Sequence, residues 1–222
     1  MRAICNLFIL LSVWLPTIDL LSQEELNLPL VRTGFRVVNA TGLPENIFFK
    51  VDGKMLNPKG FATGKRTGLM GLGAGNFRIT ADHTIKGDAS LDLSLSEGNQ
   101  TSVILFLEEK ESKEETEAPP EKILTFYSLP SRKPGSDNPS LTIVQLTQRD
   151  VLGIKVGDIN FNVERLKPQT YERPKSSVQE PSIQIRGKQL CTYNLEENQD
   201  YILVIYTAIN GELDFVKFNN PP

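Results

Sequence analysis

The sequence predicts an all-β protein made of two tandem β-sandwich units. Short runs of β-branched and aromatic residues recur along the chain, and turn signals separate them roughly every 8–12 residues. No apolar stripe with the 3.6-residue period of a helix is sustained between residues 30 and 107. Because 39% of the 222 residues are hydrophobic, the chain can bury a core without disulfides.

Composition and charge exclude several classes of function. The 24 Lys and Arg residues nearly balance the 27 Asp and Glu residues, which leaves a net charge of −3 and no basic surplus for nucleic acid. The chain has one His, one Trp and two Cys, which leaves few residues for catalysis or for a metal site. We therefore expect no enzyme activity, no catalytic residue, no cofactor, no metal and no nucleic-acid partner.

Residues 1–22 are predicted to be a cleaved signal peptide. Arg2 precedes 13 mostly apolar residues, 3–15, which is shorter than the roughly 20 residues that span a bilayer. Pro16 and Asp19 end this run, and cleavage is expected near Ser22. An uncleaved anchor and a cytosolic N-terminal helix are the alternatives. The sequence predicts export to the periplasm, the medium or the cell surface, without membrane insertion after cleavage.

The first unit is predicted at residues 30–107. Residues 102–107 (SVILFL) form a continuous apolar run, which is typical of a strand that is buried on both faces. Asp52-Gly53 is a strong hairpin signal. The other predicted strands of this unit are 35–38, 46–51, 77–80 and 90–95.

Residues 108–122 are predicted to be an acidic linker. This segment contains seven Glu, three Lys and a Pro-Pro pair, and it has no large apolar residue that could bury surface. The alternative interpretation is a loop that joins the tips of two strands.

The second unit is predicted at residues 123–219. Its predicted strands are 123–129, 141–146, 159–163, 182–186, 201–207 and 213–218, and Asn210-Gly211 joins the last two. Residues 103–106 resemble residues 203–206 at an offset of 100, which indicates an internal repeat, with chance similarity as the alternative. A short strand is expected to open each unit, at 35–38 and at 124–127. Cys191, the one cysteine outside the signal peptide, is expected to be a buried apolar residue on a strand.

The first unit resembles a family of exported bacterial β-sandwich domains that is catalogued as a domain of unknown function. The resemblance rests on FRVVNATGLPENIFFKVDG at 35–53, on LGAGNFRIT at 72–80, and on EGNQ at 97–100 before the strand at 103–107. It implies sandwiches of the immunoglobulin-like or transthyretin-like kind and implies no activity. In the second unit the Asn-Ala-Thr and Leu-Gly-Ala-Gly turns are missing, and only the order of apolar strands carries over.

Few residues are candidates for chemistry. His83 follows Asp82, and adjacent residues of a strand point to opposite faces, so we interpret His83 as a solvated turn residue. The glycine-rich run 68–75 and the segment 60–65 lack the spacing of nucleotide-binding loops, and a strand follows where a helix would be needed. Gly73 and Gly75 are therefore predicted to be structural turn residues. Asn39 and Asn99 begin formal glycosylation sequons in predicted turns.

The sequence favours an exported, non-enzymatic structural or adhesion protein of the cell envelope. Its partner would be an unknown envelope protein or a glycan, bound through loops. The alternative is a carbohydrate-binding module of a hydrolytic system, which would need exposed rings on one surface. The rings available for such a surface are Phe61, Tyr127, Tyr171 and Tyr193. A hydrolase is disfavoured because His and Cys are scarce.

Overall fold

The computed structural model describes residues 33–110, 121–131, 138–173, 180–196 and 199–220. All regular elements in these ranges are β-strands, which confirms the predicted all-β class. No helix in the described part of the chain has the length and hydrophobicity needed to cross a membrane. The predicted signal peptide, its cleavage site and residues 111–120 of the predicted linker lie outside the described residues.

The first unit is a sandwich of two four-stranded sheets. In its inner sheet the strand order is β4-β1-β7-β8, and in its outer sheet it is β3-β2-β5-β6. β1 pairs in parallel with β7, and the other pairings are antiparallel. The strands are β1 (Gly34–Ala40), β2 (Phe48–Val51), β3 (Lys54–Met55), β4 (Met70–Gly71), β5 (Gly75–His83), β6 (Gly87–Leu95), β7 (Gln100–Glu109) and β8 (Lys122–Pro130).

The second unit repeats this topology strand for strand. Its inner sheet has the order β12-β9-β15-β16 and its outer sheet the order β11-β10-β13-β14. The strands are β9 (Ser140–Gln145), β10 (Val151–Val156), β11 (Ile159–Glu164), β12 (Gln169–Glu172), β13 (Ser182–Ile185), β14 (Lys188–Thr192), β15 (Asp200–Thr207) and β16 (Leu213–Asn220). The two predicted β-sandwich units are thus confirmed.

Matching registers relate the two units. Gly34 on β1 is the partner of Gln100 on β7, and Ser140 on β9 is the partner of Asp200 on β15. In both units the first strand therefore runs parallel to the seventh. The residues of β7 and β15 correspond at an offset of 100, which is the offset of the repeat seen in the sequence.

The division between the units differs from the prediction. β8 pairs antiparallel with β7 from Thr101–Pro130 to Glu109–Lys122, so the strand predicted at 123–129 belongs to the first unit. The second unit opens with β9 instead of residues 124–127, and the chain passes between the units after β8. The predicted linker 108–122 therefore begins and ends on paired strands of one sheet, because Glu108, Glu109 and Lys122 belong to this ladder, and this agrees with the alternative interpretation of a loop between two strand tips. A polar, Pro-containing composition indicates exposure, and it is equally compatible with a linker and with a hairpin loop.

Three apolar cores hold the four sheets in one stack. The first core lies within the first unit and the second core within the second unit. The junction core lies between the two inner sheets, and its buried residues are Val38, Ala40, Ile104, Phe106, Leu129, Val144, Leu146, Ile202, Val204, Tyr206, Val216 and Phe218. Because both faces of the inner sheets are covered, β1 is buried along its whole length and β7 from Gln100 to Leu107. The prediction of a two-sided burial for residues 102–107 is confirmed.

Candidate functional site: the junction and the loops at its end

Arg36 is the buried charge of the junction. Side chains alternate along β1, so Phe35 contributes to the first core while Arg36 and Val38 face the junction. Arg36 is only 2% exposed. Its Nη1 donates a 2.8 Å hydrogen bond to the carbonyl oxygen of Asn219, and its Cζ lies 5.3 Å from the centroid of the Phe218 ring. Arg36 therefore connects the first strand of one unit to the last strand of the other.

Part of this arginine lacks partners. Its Nε and Nη2 are buried without a hydrogen bond, and so is Oγ of Ser102, the residue that pairs with Arg36 on β7. Among the described residues no carboxylate forms an ion pair with Arg36. The nearby charge is a second cation, Arg66, whose Cζ lies 5.5 Å from the same Phe218 ring. Burial and, to a lesser degree, Arg66 lower the pKa of Arg36 to about 10.

The two units also meet at the opposite end of β1. A Cβ atom on Gly42 would lie 2.5 Å from the Cα of Ala208, and the amide of Ile209 donates to the carbonyl of Gly42 at 3.3 Å. Nη2 of Arg165 lies 2.8 Å from Oε1 of Glu108. These contacts bring loops of both units to one end of the junction. We call this surface the loop end and define it as residues 41–46, 84–86, 146–150 and 208–212.

His83 organises part of the loop end. It is 5% exposed, so the interpretation as a solvated turn residue was wrong. Its Nδ1 accepts hydrogen bonds from the amides of Ile85 (3.2 Å) and Lys86 (3.0 Å), which places the proton of the neutral ring on Nε2. Nε2 lies 3.5 Å from Oε2 of Glu45. His83 thus positions the turn at 84–86 beside the loop at 41–46.

Two isoleucines stand out from this surface. Ile85 is 72% exposed and Ile209 is 56% exposed, and they are the two most exposed large apolar side chains that the structure describes. His83 joins the turn of Ile85 to the 41–46 loop, and Gly42 joins the same loop to Ile209. The loop end therefore presents apolar side chains from both units along connected loops. Sequence reasoning missed them because single apolar residues in turns carry no periodic signal.

The prediction for the glycine-rich run is confirmed at one glycine and wrong at the other. Gly75 was predicted to be a turn residue, but it is the first residue of β5 and pairs with Leu95, whereas Gly73 precedes the strand with a backbone conformation that favours glycine. Gly73 adopts a positive φ of 75°, and β5 begins at Gly75, so a strand follows the run. A phosphate-binding loop would require a helix at that point. Of the two sequon asparagines, Asn39 is fully buried and donates from Nδ2 to the carbonyl of Phe61 at 2.8 Å, whereas Asn99 is exposed.

The rings suggested for a sugar-binding surface lie in the cores. Tyr171 and Tyr193 are buried in the second core. Phe61 packs edge-on against Phe49 with centroids 5.6 Å apart, and Tyr127 packs on the junction core. These four residues therefore do not form an exposed platform. Cys191 lies on β14, which confirms the predicted strand position, but it is only partly buried against the second core instead of fully buried. This partial burial raises its thiol pKa.

Comparisons with known proteins add little. No family model matches the chain, and no curated protein matches it. Among solved structures, the chain is similar to a candidate cell adhesion protein from Bacteroides uniformis, at 7% identity over 85% of this chain and 97% of that chain. The TM-score of this pair is 0.20, so the similarity carries no argument about this chain.

Proposed function

We propose that this chain is an exported, non-enzymatic structural or adhesion protein of the cell envelope, which binds an envelope protein or a glycan through the loop end. The observation that carries the proposal is the pair of exposed isoleucines, Ile85 and Ile209, on loops that belong to different units and are held together by the junction. Exposed apolar residues grouped on one surface are typical of interaction sites.

The packing of the units supports a binding role that depends on a fixed geometry. The junction core is built from the inner sheets of both units, and the Glu108–Arg165 ion pair adds a polar contact at its edge. A rigid scaffold that presents several loops in a fixed relation is a common way to build a binding surface. Because the loop end combines both units, we expect neither unit alone to bind as the whole chain does.

An adhesion assay tests the role of the loop end. Beads coated with the wild-type protein should adhere to cells of the encoding organism, and the double variant Ile85→Ser/Ile209→Ser should reduce adhesion severalfold. The matched control is Met55→Ser/Ile159→Ser, which removes two exposed apolar residues from β3 and β11 in the outer sheets and should adhere like the wild type. Absence of adhesion, or an equal loss in both double variants, would contradict the proposal.

Export requires its own test. The protein recovered from the envelope or the medium should have an N-terminus close to Ser22, because the apolar run of residues 3–15 has the length of a signal peptide. N-terminal sequencing of the native protein measures this directly. Recovery of the chain with an intact Met1 from the soluble cytosolic fraction would refute the proposed location.

A further inference from the structure

The unpartnered edge of Arg36 is the feature of the molecule that ordinary packing does not explain. In an arginine, Nε–H and one Nη2–H point in the same direction and form a fork that fits the two oxygens of a carboxylate. In this protein Nη1 is occupied by the carbonyl of Asn219, so the free edge of Arg36 is the Nε/Nη2 fork. Most buried polar atoms in proteins have a partner, and an exception is frequently the place of a bound ion or water.

The groups around this fork select the chemistry of a ligand. Arg36 has donors only, and the hydroxyl of Ser102 beside it is also buried without a partner. A ligand for this set must accept hydrogen bonds. Leaving a buried cation without a counter-charge is costly, and Arg66, whose Cζ lies 5.5 Å from the same Phe218 ring, adds positive charge nearby. Water would provide acceptor atoms but no negative charge, so an anion fits these groups better than water does.

We propose that Arg36 and Ser102 bind a small free carboxylate between the two inner sheets, where it acts as a structural anion that stabilises the junction. The Nε/Nη2 fork would bind its two oxygens, and Oγ of Ser102 would donate a third hydrogen bond. The position inside the junction limits the ligand to the size of formate or acetate, because the acidic side chain of a partner protein would have to pass between the sheets. The site is separate from the loop end, and the proposal is independent of the proposed function.

Thermal unfolding of the full chain in sodium formate, sodium acetate and sodium chloride, at constant ionic strength, tests this site. A ligand that binds the folded state raises the unfolding midpoint as its concentration increases. We expect formate or acetate to raise the midpoint of the wild type and chloride to have a much smaller effect. Wild-type midpoints that do not depend on formate or acetate, or that respond equally to chloride, would overturn the carboxylate site.

Variants separate this site from general salt effects. Arg36→Met removes the fork, and Arg36→Lys keeps the charge but loses the paired donors; each should abolish most of the formate-dependent rise. The matched control is Arg78→Met, which removes an arginine with a 64% exposed side chain from the outer face of β5 and should keep the wild-type response. If the Arg36→Met variant does not fold, the response of the Arg36→Lys variant to formate tests the site. A rise in either folded Arg36 variant equal to that of the wild type would overturn the proposal.

Discussion

Asn39 and Gln145 make the same pair of hydrogen bonds at the ends of the first strands of the two units. Oδ1 of Asn39 accepts from the amide (3.1 Å) and the hydroxyl (2.8 Å) of Thr41. Oε1 of Gln145 accepts from the amide (3.1 Å) and the hydroxyl (2.7 Å) of Thr147. All four residues are buried, so these turns place polar groups inside the protein with their partners supplied.

Replacing either amide side chain should destabilise the protein. Asn39→Leu and Gln145→Leu each leave a buried N–H and a buried O–H of a threonine without an acceptor, at a cost of about 1–3 kcal/mol per group. Urea unfolding at neutral pH measures the loss. Asn160→Leu on the exposed side of β11 is the control and should change the stability by no more than about 0.5 kcal/mol. A Leu variant at 39 or 145 as stable as this control would contradict the assignment.

The same two residues show what the sequence could predict. The Asn-Ala-Thr motif predicted a turn in the first unit, and the structure has one there. The second unit was expected to lack this turn, and that was wrong, because Gln145-Leu146-Thr147 forms it with a longer side chain. The hydrogen-bonding groups are equivalent although the residue letters differ. Comparing motifs letter by letter therefore underestimated the repeat.

Other elements were missed for equally physical reasons. β10 has Gly153 in its middle, β12 has one apolar residue among four, and β14 has no regular alternation, so none of the three has a clear strand pattern. The apolar run at residues 102–107 of β7 predicted burial on both faces, but it carries no information on what covers the second face. The junction, and with it Arg36 and the loop end, became visible only when the structure placed the two inner sheets against each other.

Gly42 should tolerate substitution worse than another glycine of the same backbone conformation. Gly42 has φ +69° and Gly53 has φ +77°, so Gly→Ala introduces similar backbone strain at both positions, about 1–2 kcal/mol. At Gly42 the new Cβ would also lie 2.5 Å from the Cα of Ala208, whereas at Gly53 nothing lies within 4 Å. We expect Gly42→Ala to cost about 1–3 kcal/mol more than Gly53→Ala in urea unfolding. Equal costs would mean that the two units do not touch at this point.

Alkaline pH should destabilise the protein through buried tyrosines. Burial raises the pKa of Tyr193, and burial together with Asp214 raises the pKa of Tyr206, from the ordinary value of 10.0. The unfolded chain therefore loses its tyrosine protons at a lower pH than the folded chain does. The contribution of the two tyrosines to stability is complete below about pH 10 and is lost as the pH rises above it. Arg36 acts in the opposite direction, because its lowered pKa favours folding as the pH rises above about 10.

We expect the two tyrosines to outweigh the one arginine, so that urea midpoints fall as the pH is raised from about 8 to about 11. Tyr206→Phe removes one of the ionising groups and should make this decline shallower, even if the loss of the hydrogen bond to Asp214 lowers the stability at neutral pH. The informative quantity is the slope with pH. A slope identical to that of the wild type would show that Tyr206 does not contribute to alkaline unfolding.

The last prediction concerns the boundary between the units. If β8 completes the inner sheet of the first unit, a fragment of residues 30–131 should fold and a fragment of residues 30–110 should not. Both fragments expose the junction face of β1 and β7, so they differ in β8 and in the loop before it. Without β8, the β7–β8 ladder is lost, together with the packing of Leu124 and Phe126 on the first core.

Circular dichroism and urea unfolding of the two fragments measure this difference. We expect the longer fragment to show strand signal and a cooperative transition, and the shorter one to show neither, because it lacks one of the four inner strands and leaves apolar core residues uncovered. A third fragment, residues 30–107, corresponds to the first unit as the sequence predicted it, and its unfolding is compared with that of residues 30–131. If residues 30–107 unfold as cooperatively as residues 30–131, β8 is dispensable to the first unit, and the boundary between the units lies in the acidic segment 108–122.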